Sequence, residues 1–130
     1  MPAFSLSHSG DYVAVLIGPD ARPVGCDIEQ LRPRKGLMPI ARHYFSAEEV
    51  KLLEGLGDSE ARVAAFWQLW TLREAILKQQ GRSVWEMADV ALQPQPPYSR
   101  DHVVQHWRRR GFSLACCLAS PVPVAVEAFD

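Results

Sequence analysis

An α+β fold, with a small antiparallel sheet packed on a long central helix in a single domain, is what the sequence predicts. Three observations carry that expectation. Period-two alternation opens the chain, a long apolar segment with helical spacing occupies its middle, and further β-branched runs close it. At 130 residues with 48% apolar composition, the chain is read as one domain, 1–130, able to bury a core without staples.

The elements follow in order. Phe4, Leu6 and His8 share one face of a short strand and Ser5, Ser7 and Ser9 the other, up to a turn at Gly10-Asp11. Tyr12–Ile17 returns as the second strand of a hairpin, ended by Gly18-Pro19-Asp20. In Pro23–Glu29 alternation sends Val24, Cys26 and Ile28 inward and Gly25, Asp27 and Glu29 to the opposite face. The segment Arg32-Pro33-Arg34-Lys35-Gly36 is a loop, and Pro39 opens a short helix through Tyr44. Ser46 with Glu49 is a capping box for a helix to about Leu53, broken by Gly55 and Gly57. Asp58 or Ser59 caps the central helix, which ends near Gly81. Beyond it, Ala88–Leu92, Val103–Trp107, Phe112–Leu118 and Val124–Ala128 read as strands, with Arg109-Arg110-Gly111 turning a hairpin and Pro94–Pro97 a loop.

Composition narrows the function classes. Fourteen basic residues against fifteen acidic ones leave a formal charge of −1, so no global field holds a nucleic acid or an anionic membrane. A metal-dependent nuclease, which acidic pairs beside a lysine also suggest, lacks its basic footprint here. Cys26, Cys116 and Cys117 offer neither a disulfide framework nor metal-ligand spacing, which fits a reducing cytoplasm. The apolar run Tyr12–Ile17 is too short to span a bilayer and has no basic segment before it, so neither a signal peptide nor a membrane helix is expected.

The chemistry concentrates in the central helix and the third strand. Glu74 projects between Trp67 and Trp70, with Lys78 one turn later on nearly the same line. A structural ion pair between Glu74 and Lys78 accounts for both charges on the helix alone. Asp27 and Glu29, at i and i+2 on one strand face, put two carboxyl groups within reach of one small cation, although an exposed acidic strand face gives the same pattern. Together, Asp27, Glu29 and Glu74 with Lys78 suit an octahedral Mg²⁺ that keeps positions open for phosphate oxygens. His8 at the strand end is placed to meet a phosphate, and Arg32, Arg34, Lys35 and Arg42, interleaved with Met38 and Ile40, suit an acidic, partly apolar partner.

Four motifs in this order resemble those of Sfp-type 4′-phosphopantetheinyl transferases: Ser7-His8-Ser9, Pro23 to Glu29, Phe45-Ser46 with Glu49, and Trp70 to Lys78. The resemblance implies a 4′-phosphopantetheinyl transferase-like fold and transfer of 4′-phosphopantetheine from coenzyme A to a serine of an acyl or peptidyl carrier protein, with release of adenosine 3′,5′-bisphosphate. It implies Mg²⁺ on Asp27, Glu29 and Glu74, coenzyme A contacts from His8 with Ser7 and from Lys78 and Arg73, and Lys78 near the reacting phosphate. Either Glu74 or a water on the metal could take the serine proton. Arg73 stands where the family often has Lys, and Cys26 where it has an aliphatic residue. The basic segment 32–42 corresponds to the region that meets the carrier.

Family chains of this type have two similar halves, and this chain resembles only the second. The expectation is therefore a homo-oligomer, either a dimer that imitates the two halves or a trimer like the shorter holo-acyl-carrier-protein synthases. The alternative is a catalytically incomplete half-domain that binds coenzyme A or carrier, or one subunit of a split transferase.

Overall fold

The computed structural model describes residues 2–128 as nine elements. Strands β1 (Phe4–Ser9) and β2 (Tyr12–Ile17) form an antiparallel hairpin. Strand β3 (Gly25–Gln30) is followed by helices α1 (Leu37–Tyr44), α2 (Ala47–Gly55) and α3 (Ser59–Gln80). A 3₁₀ turn (Val84–Asp89) leads to β4 (Val103–Arg109) and β5 (Phe112–Leu118). The second sheet has the order β3-β5-β4 and is antiparallel throughout.

Local chemistry accounts for the helix boundaries. Ser46 and Glu49 form the predicted reciprocal capping box on α2: Ser46 N–H donates to Glu49 Oε1 at 2.9 Å and Glu49 N–H to Ser46 Oγ at 3.2 Å. Asp58 caps α3 by accepting from Glu60 N–H at 3.1 Å, and Gly81 closes it in the left-handed region at φ 68°. Helix α1 starts at Leu37, two residues before Pro39, which sits in the first turn where no N–H is required.

Helix α3 lies across one face of the three-stranded sheet. Phe66, Leu72 and Ile76 are buried in the cluster it forms with Ala115, Cys117 and Val104, and full burial of each such large side chain is worth about 1.5–3 kcal/mol. Trp67 and Trp70 join Phe66 in an aromatic group, with ring centroids 5.0–6.3 Å apart. The contact is closest at Gly25, where any Cβ would collide with the backbone of Ala75 and Gln79. A smaller cluster of Val24, Cys116 and Leu118, covered by Leu16, Val122 and Val124, occupies the other face.

The hairpin is joined to the sheet through side chains. The outward N–H groups of Cys26, Ile28 and Gln30 donate to the hydroxyls of Ser5, Ser7 and Ser9, each at 3.0 Å. Serine hydroxyls thus satisfy the free edge of β3 in place of another strand's carbonyls.

Several expectations are corrected. Ala88–Leu92 is not a strand: Ser83 N–H donates to Glu86 Oε2 at 3.1 Å, the chain winds into the 3₁₀ turn, and Met87 is driven into the core. Val124–Ala128 is likewise outside any ladder; Pro121 and Pro123 remove alternate donors just before it. The face of β3 that carries Gly25, Asp27 and Glu29 is the one on which α3 packs. Among the described residues no helix is long and apolar enough to cross a membrane, and all three cysteines are free and buried.

Candidate active site

Strand β3 and helix α3 bring Asp27 and Lys78 together across 51 residues of chain. Lys78 Nζ donates to Asp27 Oδ1 at 3.1 Å, and Ser7 Oγ donates to the same oxygen at 3.2 Å. Lys78 therefore pairs with the strand carboxylate, and not with Glu74 one turn before it as the helix alone suggests. Asp27 is only 3% exposed, and its Oδ2 has no hydrogen-bond partner. Burial pushes its carboxyl up to about 7, against the pull of Lys78 and with a further push from Glu29 and Glu74.

The other two carboxyls are perturbed in the same direction. Burial raises Glu29, opposed by the Ser9 hydroxyl and by the charges of Arg32, Lys78 and Arg34. Burial also raises Glu74, with Lys78 lowering and Glu29 raising it. Three carboxyls thus feel one another around one ammonium, a cluster with more negative charge than its own lysine neutralises. Its hard oxygen donors and the unpartnered Asp27 Oδ2 fit a divalent cation such as Mg²⁺. The expected three-carboxylate site is not preformed: among the described residues no three His, Cys, Asp or Glu side chains converge as metal ligands. Side-chain rotation at half-buried Glu29 and Glu74 would be needed to complete one.

The remaining predicted residues separate. Ser7, expected with His8 at a coenzyme A phosphate, is 5% exposed; it accepts from Ile28 N–H and donates to Asp27, so in this arrangement it orients the carboxylate. His8 points the other way, exposed on the outer hairpin face with Phe4 and Leu6. Arg73, expected beside the coenzyme, is 1% exposed, pairs with Glu49 and lies over the Phe45 ring, 4.7 Å from its centroid. Consecutive helical residues diverge by about 100°, which turns Arg73 away from Glu74. Arg32 is anchored beside the acids, donating to Ser9 Oγ at 3.0 Å and lying over Trp67, while Arg34, Lys35 and Arg42 are exposed. The serine-to-β3 bonds went unpredicted, although serines at every second position were the visible signal.

A family model of the 4′-phosphopantetheinyl transferase superfamily matches residues 23–119, the span that contains β3, α3 and the closing hairpin. The chain belongs to the 4′-phosphopantetheinyl transferase superfamily. It is 36% identical over 124 residues to the 4′-phosphopantetheinyl transferase AcpT of Escherichia coli K12, covering 95% of this chain and 60% of that protein. To the 4′-phosphopantetheinyl transferase Sfp of Bacillus subtilis it is 27% identical over 129 residues, covering 91% of this chain and 55% of the relative. The chain thus spans little more than half the length of these superfamily relatives. In fold it is similar to a holo-(acyl-carrier-protein) synthase from Bacillus anthracis solved in complex with coenzyme A (3′,5′-ADP), with a TM-score of 0.60 at 19% identity, over 74% of this chain and 93% of that one.

Proposed function

We propose that this chain transfers 4′-phosphopantetheine from coenzyme A to a serine hydroxyl of an acyl or peptidyl carrier protein, releasing adenosine 3′,5′-bisphosphate. Membership of the superfamily supports the reaction class, and the observation that carries the site is the buried Asp27 carboxylate between Lys78 and two further acids. Asp27, Glu29 and Glu74 would hold Mg²⁺, which supplies charge neutralisation at the pyrophosphate. Lys78, nearly a third exposed at its side chain and paired with Asp27, is placed to meet a phosphate oxygen beside that acid. Glu74, raised by burial and by Glu29, can accept the serine proton as the hydroxyl attacks phosphorus. His8, exposed and free of side-chain hydrogen bonds among the described residues, can meet a coenzyme A phosphate. The basic segment 32–42 suits an acidic carrier surface.

The hairpin's outer face supports self-association as a dimer or trimer. Phe4, Leu6, Val13, Val15 and Ile17 are 57–71% exposed on adjacent strands, an apolar continuity that isolated proteins seldom leave in water. A second copy would cover it. The share of the relatives' length also supports the alternative of one subunit in a split enzyme. A cytoplasmic location fits the three free thiols.

The test is the mass of an apo carrier protein incubated with this chain, coenzyme A and Mg²⁺, alongside sedimentation of the chain. A carrier heavier by one phosphopantetheine, lost with Asp27→Ala or Glu74→Ala, is the expected result. No mass gain favours the split enzyme, and full transfer by a stable monomer overturns the oligomer.

A further inference from the structure

On the sheet-facing side of α3, one turn before Glu74, Thr71 is fully buried. Its Oγ1 lies 3.0 Å from Oγ of Ser113, itself 1% exposed, and that oxygen lies 2.6 Å from Nε2 of His106 on the neighbouring strand. Ser113 stands directly opposite Glu29 in the β3–β5 ladder, so the two side chains emerge on one face of the sheet. The Thr71–Ser113 bond therefore spans the same helix-to-sheet gap that Glu74 and Glu29 face across.

The proton order in this chain of hydroxyls is set by its end. Thr71 Oγ1 donates to the Gln68 carbonyl oxygen at 3.2 Å, and a carbonyl only accepts. Ser113 then donates to Thr71, and His106 Nε2–H donates to Ser113, which leaves no donor unused along the line. Burial, helped by Arg108, holds His106 down at about 4, so the imidazole is neutral and carries one ring proton at neutral pH.

We infer that His106, Ser113 and Thr71 form a positioning relay that sets the separation of Glu29 and Glu74, an inference that rests on the divalent-cation reading of those acids. The Thr71–Ser113 hydrogen bond ties the helix to the sheet one turn before Glu74, and the absence of a Cβ at Gly25 sets how closely the two approach at Ala75 and Gln79 just after. Glu74 is thus held between two pins.

The test compares Ser113→Ala, Thr71→Val and Thr71→Ser with the wild-type chain by calorimetric titration with Mg²⁺ and by thermal denaturation in chelator. Ser113→Ala and Thr71→Val, which loosen the elements carrying the acids without touching the acids themselves, are expected to bind Mg²⁺ more weakly by up to about tenfold, the low end of what loss of a ligand's own support costs. Thr71→Ser, which keeps the hydroxyl, should bind as the wild type does. Variants that melt earlier but keep the wild-type Mg²⁺ affinity overturn the inference, since a bond that only stabilises the fold moves the midpoint alone. Should Ser113→Ala fail to fold, the Thr71 pair decides. A wild-type chain that binds no Mg²⁺ refutes the cation reading itself, and crystal structures then judge the relay: a wider Glu29–Glu74 separation in Thr71→Val supports it, and an unchanged one overturns it.

Discussion

Replacing Asp27 by Asn isolates the electrostatic strain of the site from its chemistry. The carboxyl is held at about 7 in the folded chain against an ordinary 3.8, with burial as the leading cause. A group that binds its proton more tightly folded than unfolded is neutral in both states at pH below 4. It costs progressively more stability as pH rises from about 4 to about 7, and the cost is complete above that. The gap between the two values corresponds to roughly 4 kcal/mol. With the side chain only 5% exposed, solvent screening removes little of it. Asp27→Asn removes the ionisation while its amide oxygen can still accept from Ser7. In chelator at pH 8 the variant should therefore be more stable by up to roughly 4 kcal/mol, a rise in melting midpoint on the order of 10 °C for a chain of this size. At pH 4 the two proteins should melt together. Urea and thermal denaturation across pH 4–8.5 measure both limits. A variant no more stable than wild type at pH 8, or one with the same gain at pH 4, would refute the assignment of a buried, cation-seeking carboxylate.

Gly25→Ala places a methyl against the backbone of α3; overpacking of this kind should cost about 1–3 kcal/mol in denaturant titration and weaken Mg²⁺ binding. Glu49→Gln leaves the Arg73 guanidinium buried without its counter-charge, and urea unfolding should register a loss of about 3 kcal/mol. His8→Ala, at an exposed position, should leave the melting midpoint in place while weakening coenzyme A binding roughly tenfold by calorimetry.

Features written in short-range chemistry were legible from the residues. The β1–β2 hairpin, the Ser46–Glu49 box, the Gly81 stop and the Arg110-Gly111 turn each depend on neighbours within a few positions. Val84–Asp89 carried a local Ser83–Glu86 capping signal, but the apolar run Ala88–Leu92 that overlaps its end read as a strand because periodicity alone does not separate a short buried helical turn from a short strand. At the site, the spacing of Asp27, Glu29, Glu74 and Lys78 located the acids on the right two elements. It did not say that Lys78 would reach across to Asp27, because strand and helix meet only once α3 has chosen a face of the sheet. Arg73 shows the same limit: its partner Glu49 lies 24 residues away, and no local pattern announced that pairing.

The serine bonds along β3 have a property of their own. Identical hydroxyls at every second residue look the same after a two-residue slide, so a hairpin displaced by that step could remake two of its three bonds, each worth about 1 kcal/mol. Alignment has to come from the ends. At one end the loop tip at Gly10 abuts the Gln30 side chain; at the other, Ala3 N–H donates to the Asp20 carbonyl at 2.7 Å and Gly18 N–H to that of Ala3 at 2.8 Å, so the hairpin's base is closed and only the short link from Asp20 to β3 sets how far it can slide. Since Ser7 reaches Asp27 in only one of these alignments, two stops at the margins of the hairpin decide which hydroxyl meets the acid.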